Sequence, residues 1–144
     1  MKAENMRFLS MIRIDETTGQ KPSERLKREM GTLMEEMIHD GSLVRTAGLR
    51  PTREGVRVRS NHGKVSITDG PFSETKEQVG GFFIIEAQNL NEAIRIASKH
   101  PAAHLGEQVG WGIEVRPMDM FDPAESEIRI PAAEWAVLQR FSDR

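Results

Sequence analysis

Gly80-Gly81-Phe82-Phe83-Ile84-Ile85 is the stretch on which the fold turns. Successive side chains of a strand leave opposite faces, so Phe82 and Ile84 share one face and Phe83 and Ile85 the other. A strand with large apolar groups on both faces needs cover on both sides. This one is expected in the interior of a sheet, with the glycine pair before it allowing a backbone or a ligand to come close.

Upstream, Met6 to Ile14 has the same two-sided character, with Phe8, Ile12 and Ile14 on one parity and Leu9 and Met11 on the other. It predicts a second interior strand. After a loop from Asp15 to Gln20, Pro22-Ser23 opens a helix in which Leu26, Met30, Leu33, Met34, Met37 and Ile38 recur every three or four residues. A methionine stripe at that spacing reads as core, and Asp40-Gly41 ends the helix. Leu43 to Leu49 is extended and Pro51 to Gly55 a loop. Val56 and Val58, then Val65 and Ile67, alternate with polar residues about a turn at Ser60-Asn61-His62-Gly63, predicting a hairpin with one wet face.

Downstream, Asn89 caps a second helix with Glu92 three residues on, and Leu90, Ala93, Ile94 and Ala97 line its inner side before Pro101 stops it. Trp111, Ile113 and Val115 mark a last strand. The order gives an α+β fold: a ferredoxin-like antiparallel sheet with two helices on one face and an inserted β-hairpin. Two helices cover only one face of such a sheet, so the other is expected to pair sheet-to-sheet in a homodimer. One domain is expected over residues 1–120, and 121–144 form an extension with a short helix from Pro131 that carries Trp135, Leu138 and Phe141.

With 144 residues the chain can bury a core without staples, and with no cysteine it has no disulfide, thiolate metal site or cysteine nucleophile. Its apolar runs are too short for a signal peptide or a membrane span, so a cytoplasmic protein is expected. The net charge of −2 gives no general attraction to nucleic acid or to an anionic membrane. Between Leu43 and Lys64, however, six cations face one carboxylate, a local excess that either attracts an anion or keeps an exposed strand soluble. No aromatic side chain lies there to stack a base, which argues against nucleic acid as a partner.

The segment from Asp69 to Ala87 reads DGPFSETKEQVGGFFIIEA. With Asp69-Gly70-Pro71-Phe72, Glu74-Thr75-Lys76-Glu77, Gly80-Gly81-Phe82 and the later Ile113-Glu114-Val115-Arg116-Pro117, the chain resembles the DGPF branch of the YCII-related family from about Met6 to Met118. The resemblance implies a dimeric α+β barrel built from two ferredoxin-like subunits. It also implies kinship with small-molecule enzymes of the wider superfamily, and an association with alternative sigma factors of the extracytoplasmic-function type. Enzymatic members of YCII type use a histidine near the first helix together with an aspartate. Here that helix opens as Pro22-Ser23-Glu24-Arg25-Leu26, without histidine, and His39 lies at its other end, so the aspartate carries over but the histidine does not.

The candidate binding residues are thus Asp69, Gly70, Pro71, Phe72, Glu74, Lys76, Glu77 and Gly81, with Asp69 the candidate catalytic acid or base. A carboxylate in a partly dry cleft can acquire a pKa suited to proton transfer, and a nearby lysine can hold a substrate anion. Asp69 could equally accept backbone N–H bonds and fix the Gly70-Pro71 turn, and Glu74, Lys76 and Glu77 could form a solvated cluster. No metal or other cofactor is expected: His100 and His104 are four apart, but Pro101 interrupts the helix that would align them. Two functions remain open. One is binding of a small anionic metabolite, with acid/base chemistry as an option; the other is a non-catalytic accessory role through a sigma factor or another regulator, with the C-terminal tail as contact surface.

Overall fold

A computed structural model of the chain describes residues 5–19, 21–72, 78–104, 112–119 and 131–142. The two doubly apolar segments occupy the middle of one antiparallel sheet. Strand β1 (Met6–Ile14) pairs with β5 (Gln78–Ala87) from Met6 opposite Ala87 to Ile14 opposite Gln78, with an irregularity between Ile12 and Arg13. On the flanks, β2 (Leu43–Gly48) joins β5 and β6 (Gly112–Pro117) joins β1, giving the order β2-β5-β1-β6. The hairpin strands β3 (Val56–Asn61) and β4 (Lys64–Asp69) form a second, two-stranded sheet.

Helix α1 (Glu24–Asp40) starts where the Ser23 hydroxyl oxygen accepts the Leu26 N–H at 3.1 Å, supplying a partner for one of the donors that a helix start leaves open. It stops at Gly41, whose φ of 81° suits a residue without a Cβ. Asn89 likewise caps α2 (Leu90–Ala97), taking the Glu92 N–H at 2.9 Å. Pro101 does not itself end α2, which stops at Ala97 with Ser98 as its cap. The proline is the first residue of a further short helix, α3 (Pro101–His104), a position where its missing N–H costs nothing, and it is fully buried.

The core lies between the helices and one sheet face. Phe8, Phe83, Ile85 and Ala87 point into it from the strands; Leu33 and Met37 of α1 and Ala93, Ile96 and Ala97 of α2 meet them. Burial of each large side chain of this set contributes about 1.5–3 kcal/mol. The opposite parity, Leu9 and Met11 beside Ile84 and Phe82, forms a half-buried apolar strip on the outer face.

The hairpin departs from expectation. Its turn residues His62 and Gly63 have φ of 51° and 81°, the geometry a tight two-residue connection requires. Yet Val56, Val58, Val65 and Ile67, expected to cover something, are 55–71% exposed, so both faces are wet within this chain. Strand β5 also begins earlier than the glycine pair suggested, at the buried Gln78. Trp111 lies outside the described residues. In the C-terminal helix α4 (Ala132–Ser142) Trp135 is buried, whereas Val137 and Leu138 are exposed. Among the described residues no helix is long and apolar enough to cross a membrane.

Candidate functional site

Helix α1 presents two rows of apolar side chains. Leu33 and Met37 fill the core, and the row four residues apart formed by Leu26, Met30 and Met34 faces a cavity of about 710 Å³ between this helix and the sheet. Ile12 and Ile14 of β1 and Phe83 of β5 complete its apolar wall. The methionine stripe read as core is borne out, Met37 within the core and Met30 and Met34 packed against it, and the latter two line the cavity as well. The volume falls in the range of small-molecule sites, which combine an apolar wall with a few placed polar groups.

Those polar groups gather mainly where β1 ends. Asp15 accepts the Thr17 N–H at 2.9 Å and its hydroxyl at 2.5 Å, capping a 3₁₀ turn over Glu16–Thr18. The Glu16 carboxylate accepts the Thr52 N–H at 2.9 Å through one oxygen and the Thr52 hydroxyl at 2.6 Å through the other. Both carboxylates are thereby engaged within the protein. Lys21 and Arg53 also line the cavity, are exposed and so stand at its mouth, and form no ion pair among the described residues. Among the described residues, then, the two carboxylates are engaged and the two cations are not.

The inner end is less polar. His100 is buried on the cavity wall, edge-on to Phe83 with 5.3 Å between ring centroids. Its Nδ1 accepts the Ala102 N–H at 3.0 Å, so the proton of the neutral ring resides on Nε2. Thr46, also on the wall, donates its hydroxyl to the Phe82 carbonyl at 2.9 Å.

The motif from Asp69 to Phe72 is placed one layer behind this wall. Asp69 ends β4 opposite Val56, is exposed and does not line the cavity. Gly70 donates its N–H to the Gly55 carbonyl at 2.9 Å and packs so closely on the Thr52 carbonyl that a Cβ there would collide with it. The Gly70-Pro71 peptide is cis, and Pro71 is exposed. Phe72 is tied at both backbone groups: its N–H donates to the Thr52 hydroxyl at 3.2 Å and its carbonyl accepts the Gln78 side-chain amide at 2.9 Å. The Arg57 guanidinium covers its ring at 4.0 Å from the centroid.

Thr52 is the shared element. One side of the 3₁₀ turn Thr52–Glu54 carries Gly70 and Phe72, and on the other Pro51 and Arg53 face the cavity, with Glu16 clamped between. Of the sequence candidates among the described residues, only Gly81 is on the wall itself, where a Cβ would stand 3.1 Å from the Ala47 carbonyl oxygen, and Gly80 makes room for Ile14. The pair is explained by approach of the protein's own chain. Glu74, Lys76 and Glu77 lie outside the described residues.

Sequence reading passed over Lys21 and Glu16, took Arg53 only as one of the basic residues after Leu43 that could attract an anion, and weighed His100 only as a metal ligand. The signal for Arg53 was the basic excess after Leu43; for His100 it was a polar residue placed directly before a helix-starting proline. Nothing local marked Lys21. Among the described residues no three histidine, aspartate or glutamate side chains gather as a metal-ligand set.

Comparison with known proteins places this geometry in a family context. The YCII-related domain matches residues 6–117, which takes in the whole sheet, the hairpin and the cavity. An uncharacterized protein of Rhizobium meliloti (strain 1021) is 32% identical over 107 residues, covering 74% of this chain and 84% of the relative.

Proposed function

The chain belongs to the YCII-related domain family, and from that premise we propose that it binds a small anionic metabolite in the cavity between α1 and the sheet. The observation that carries this reading is the contrast at the mouth, where Asp15 and Glu16 are bonded within the protein while Lys21 and Arg53 have no carboxylate partner among the described residues. Charged hydrogen bonds at the edge of an apolar cavity hold an anion more strongly than they would in open water. In this reading the chain is a DGPF-type member whose DGPF turn braces the mouth through Thr52, and Asp69, exposed at the end of β4, takes no part in binding. Cofactor-free acid/base chemistry at Asp69 is the extension that would reverse that last assignment.

The strand order and the helices on one face support a ferredoxin-like subunit. The half-buried strip of Leu9, Met11, Phe82 and Ile84 supports a homodimer built face to face, and a cytoplasmic location completes the proposal. A second reading, an accessory role with a sigma factor or other regulator, is favoured by the exposed Val137 and Leu138 of α4. Trp135, being buried, is not part of such a surface.

A thermal-shift screen of metabolite anions, on wild type and on Lys21→Ala/Arg53→Ala, tests the first reading. A ligand at 100 times its Kd adds about 2.7 kcal/mol of stability, and the double variant should lose most of that gain. An anion that stabilises both proteins equally, or no stabilising anion at all, overturns the reading. Asp69→Asn should retain binding; retained binding with lost turnover would make Asp69 catalytic.

A further inference from the structure

Resting on the cavity reading above, we infer that the ligand is a hydrophobic monocarboxylate, its head at Lys21 and Arg53 and its body along the wall formed by Met30, Met34 and Phe83. The charge at the mouth sets the head group. Two cations and two carboxylates line the same end of the cavity, so an anion bound there meets Asp15 and Glu16 as well as Lys21 and Arg53. A single negative charge can be satisfied by the cations. Further charges on a phosphate ester or a tricarboxylate would lie against the carboxylates, and like charges that close in a partly desolvated site are unfavourable.

The wall sets the body. From the mouth, where Ile14 is paired with Gln78 beside Gly80, to Phe83 the cavity follows β5 for three residues, about 10 Å at the usual strand rise. Between these ends the described surface is almost entirely aliphatic or aromatic, and burying polar hydroxyls there without partners would be costly. Chains of six to eight carbons or one aromatic ring with a short side chain match the span. Met30 and Met34 are unbranched and adjust to either shape. His100, against Phe83, closes the inner end.

Isothermal titration of the full chain with a series of straight-chain carboxylates from butanoate to decanoate, and with phenylpropanoate, tests this directly. Affinity should rise about fourfold with each added methylene up to about eight carbons and then level off. Phenylpropanoate should bind, and its primary amide should bind at least tenfold more weakly. Arg53→Glu, an exposed change, should abolish the preference for the acid over the amide, and Met34→Gln should flatten the chain-length dependence. If citrate, inorganic phosphate or suberate binds more tightly than octanoate, and binding still depends on Lys21 and Arg53, the monocarboxylate assignment falls while the anion-binding cavity stands. If no anion of any class binds, both fall.

Discussion

The central strand pair β1–β5 and the hairpin β3–β4 both carry large apolar residues at strand spacing and end in opposite environments. Phe8, Phe83 and Ile85 are almost fully buried beneath α1 and α2, whereas Val58, Val65 and Ile67 of the hairpin are about two-thirds exposed. Alternation tells which residues share a face. It does not tell whether another element arrives to cover that face, because the cover comes from segments far away along the chain. The DGPF turn lies between the two regions. It leaves the exposed hairpin and is anchored through Thr52 to the wall of the cavity.

Substitutions at the two ends of this contrast should differ by an order of magnitude. Phe8→Ala removes a fully buried ring and should cost about 3–5 kcal/mol in urea unfolding. A loss under about 1 kcal/mol would mean that the helices do not pack on β1 as described. Gly70→Ala, at the junction, drives a methyl group into the Thr52 carbonyl and should cost about 1–3 kcal/mol. Because Arg53 follows Thr52, the same change should weaken anion binding at the cavity mouth, which titration of the folded variant would show.

Val58→Thr with Ile67→Thr should change stability by no more than about 0.5 kcal/mol at low protein concentration, as expected for exposed positions. A larger loss that grows with protein concentration would break the comparison, since it would show the hairpin covered by a second chain. The smallest effect concerns the join between α1 and β2. Asp40 has its pKa lowered by Ser42, whose hydroxyl lies beside it and whose N–H donates to it at 2.8 Å, with burial opposing and Lys99 and Arg95 assisting. The folded form therefore favours the carboxylate. Its contribution is present above the ordinary aspartate pKa and is lost as pH falls through the lower folded value. Asp40→Asn should flatten the stability profile below about pH 4 and leave neutral pH nearly unaffected, and a variant with an unchanged acid limb would remove this link.

Legibility was uneven for physical reasons. The caps at Ser23 and Asn89, the glycine stop at Gly41 and the turn at His62-Gly63 were all readable, since each involves groups within a few residues. The close approach of Gly70 to Thr52 spans 18 positions and had no local mark beyond the motif itself. The start of β5 at the buried Gln78 had no local mark, because the Phe72 carbonyl that accepts its side-chain amide comes within reach only once β5 and the DGPF turn are in place.

By itself the sequence determined that two strands need cover on both faces, that two amphipathic helices supply part of it, and that the segment from Asp69 to Ala87 marks a YCII-related chain. These follow from period, caps and motif, all contained in short windows. Only the tertiary structure decided that Phe83 and Ile85 face the helices, that Met30 and Met34 line a cavity and that Lys21 and Arg53 line it too. The bond from Glu16 to Thr52 joins residues 36 apart and brings that mouth together. Such contacts form only after the strands have chosen their partners, which no short window of the sequence contains.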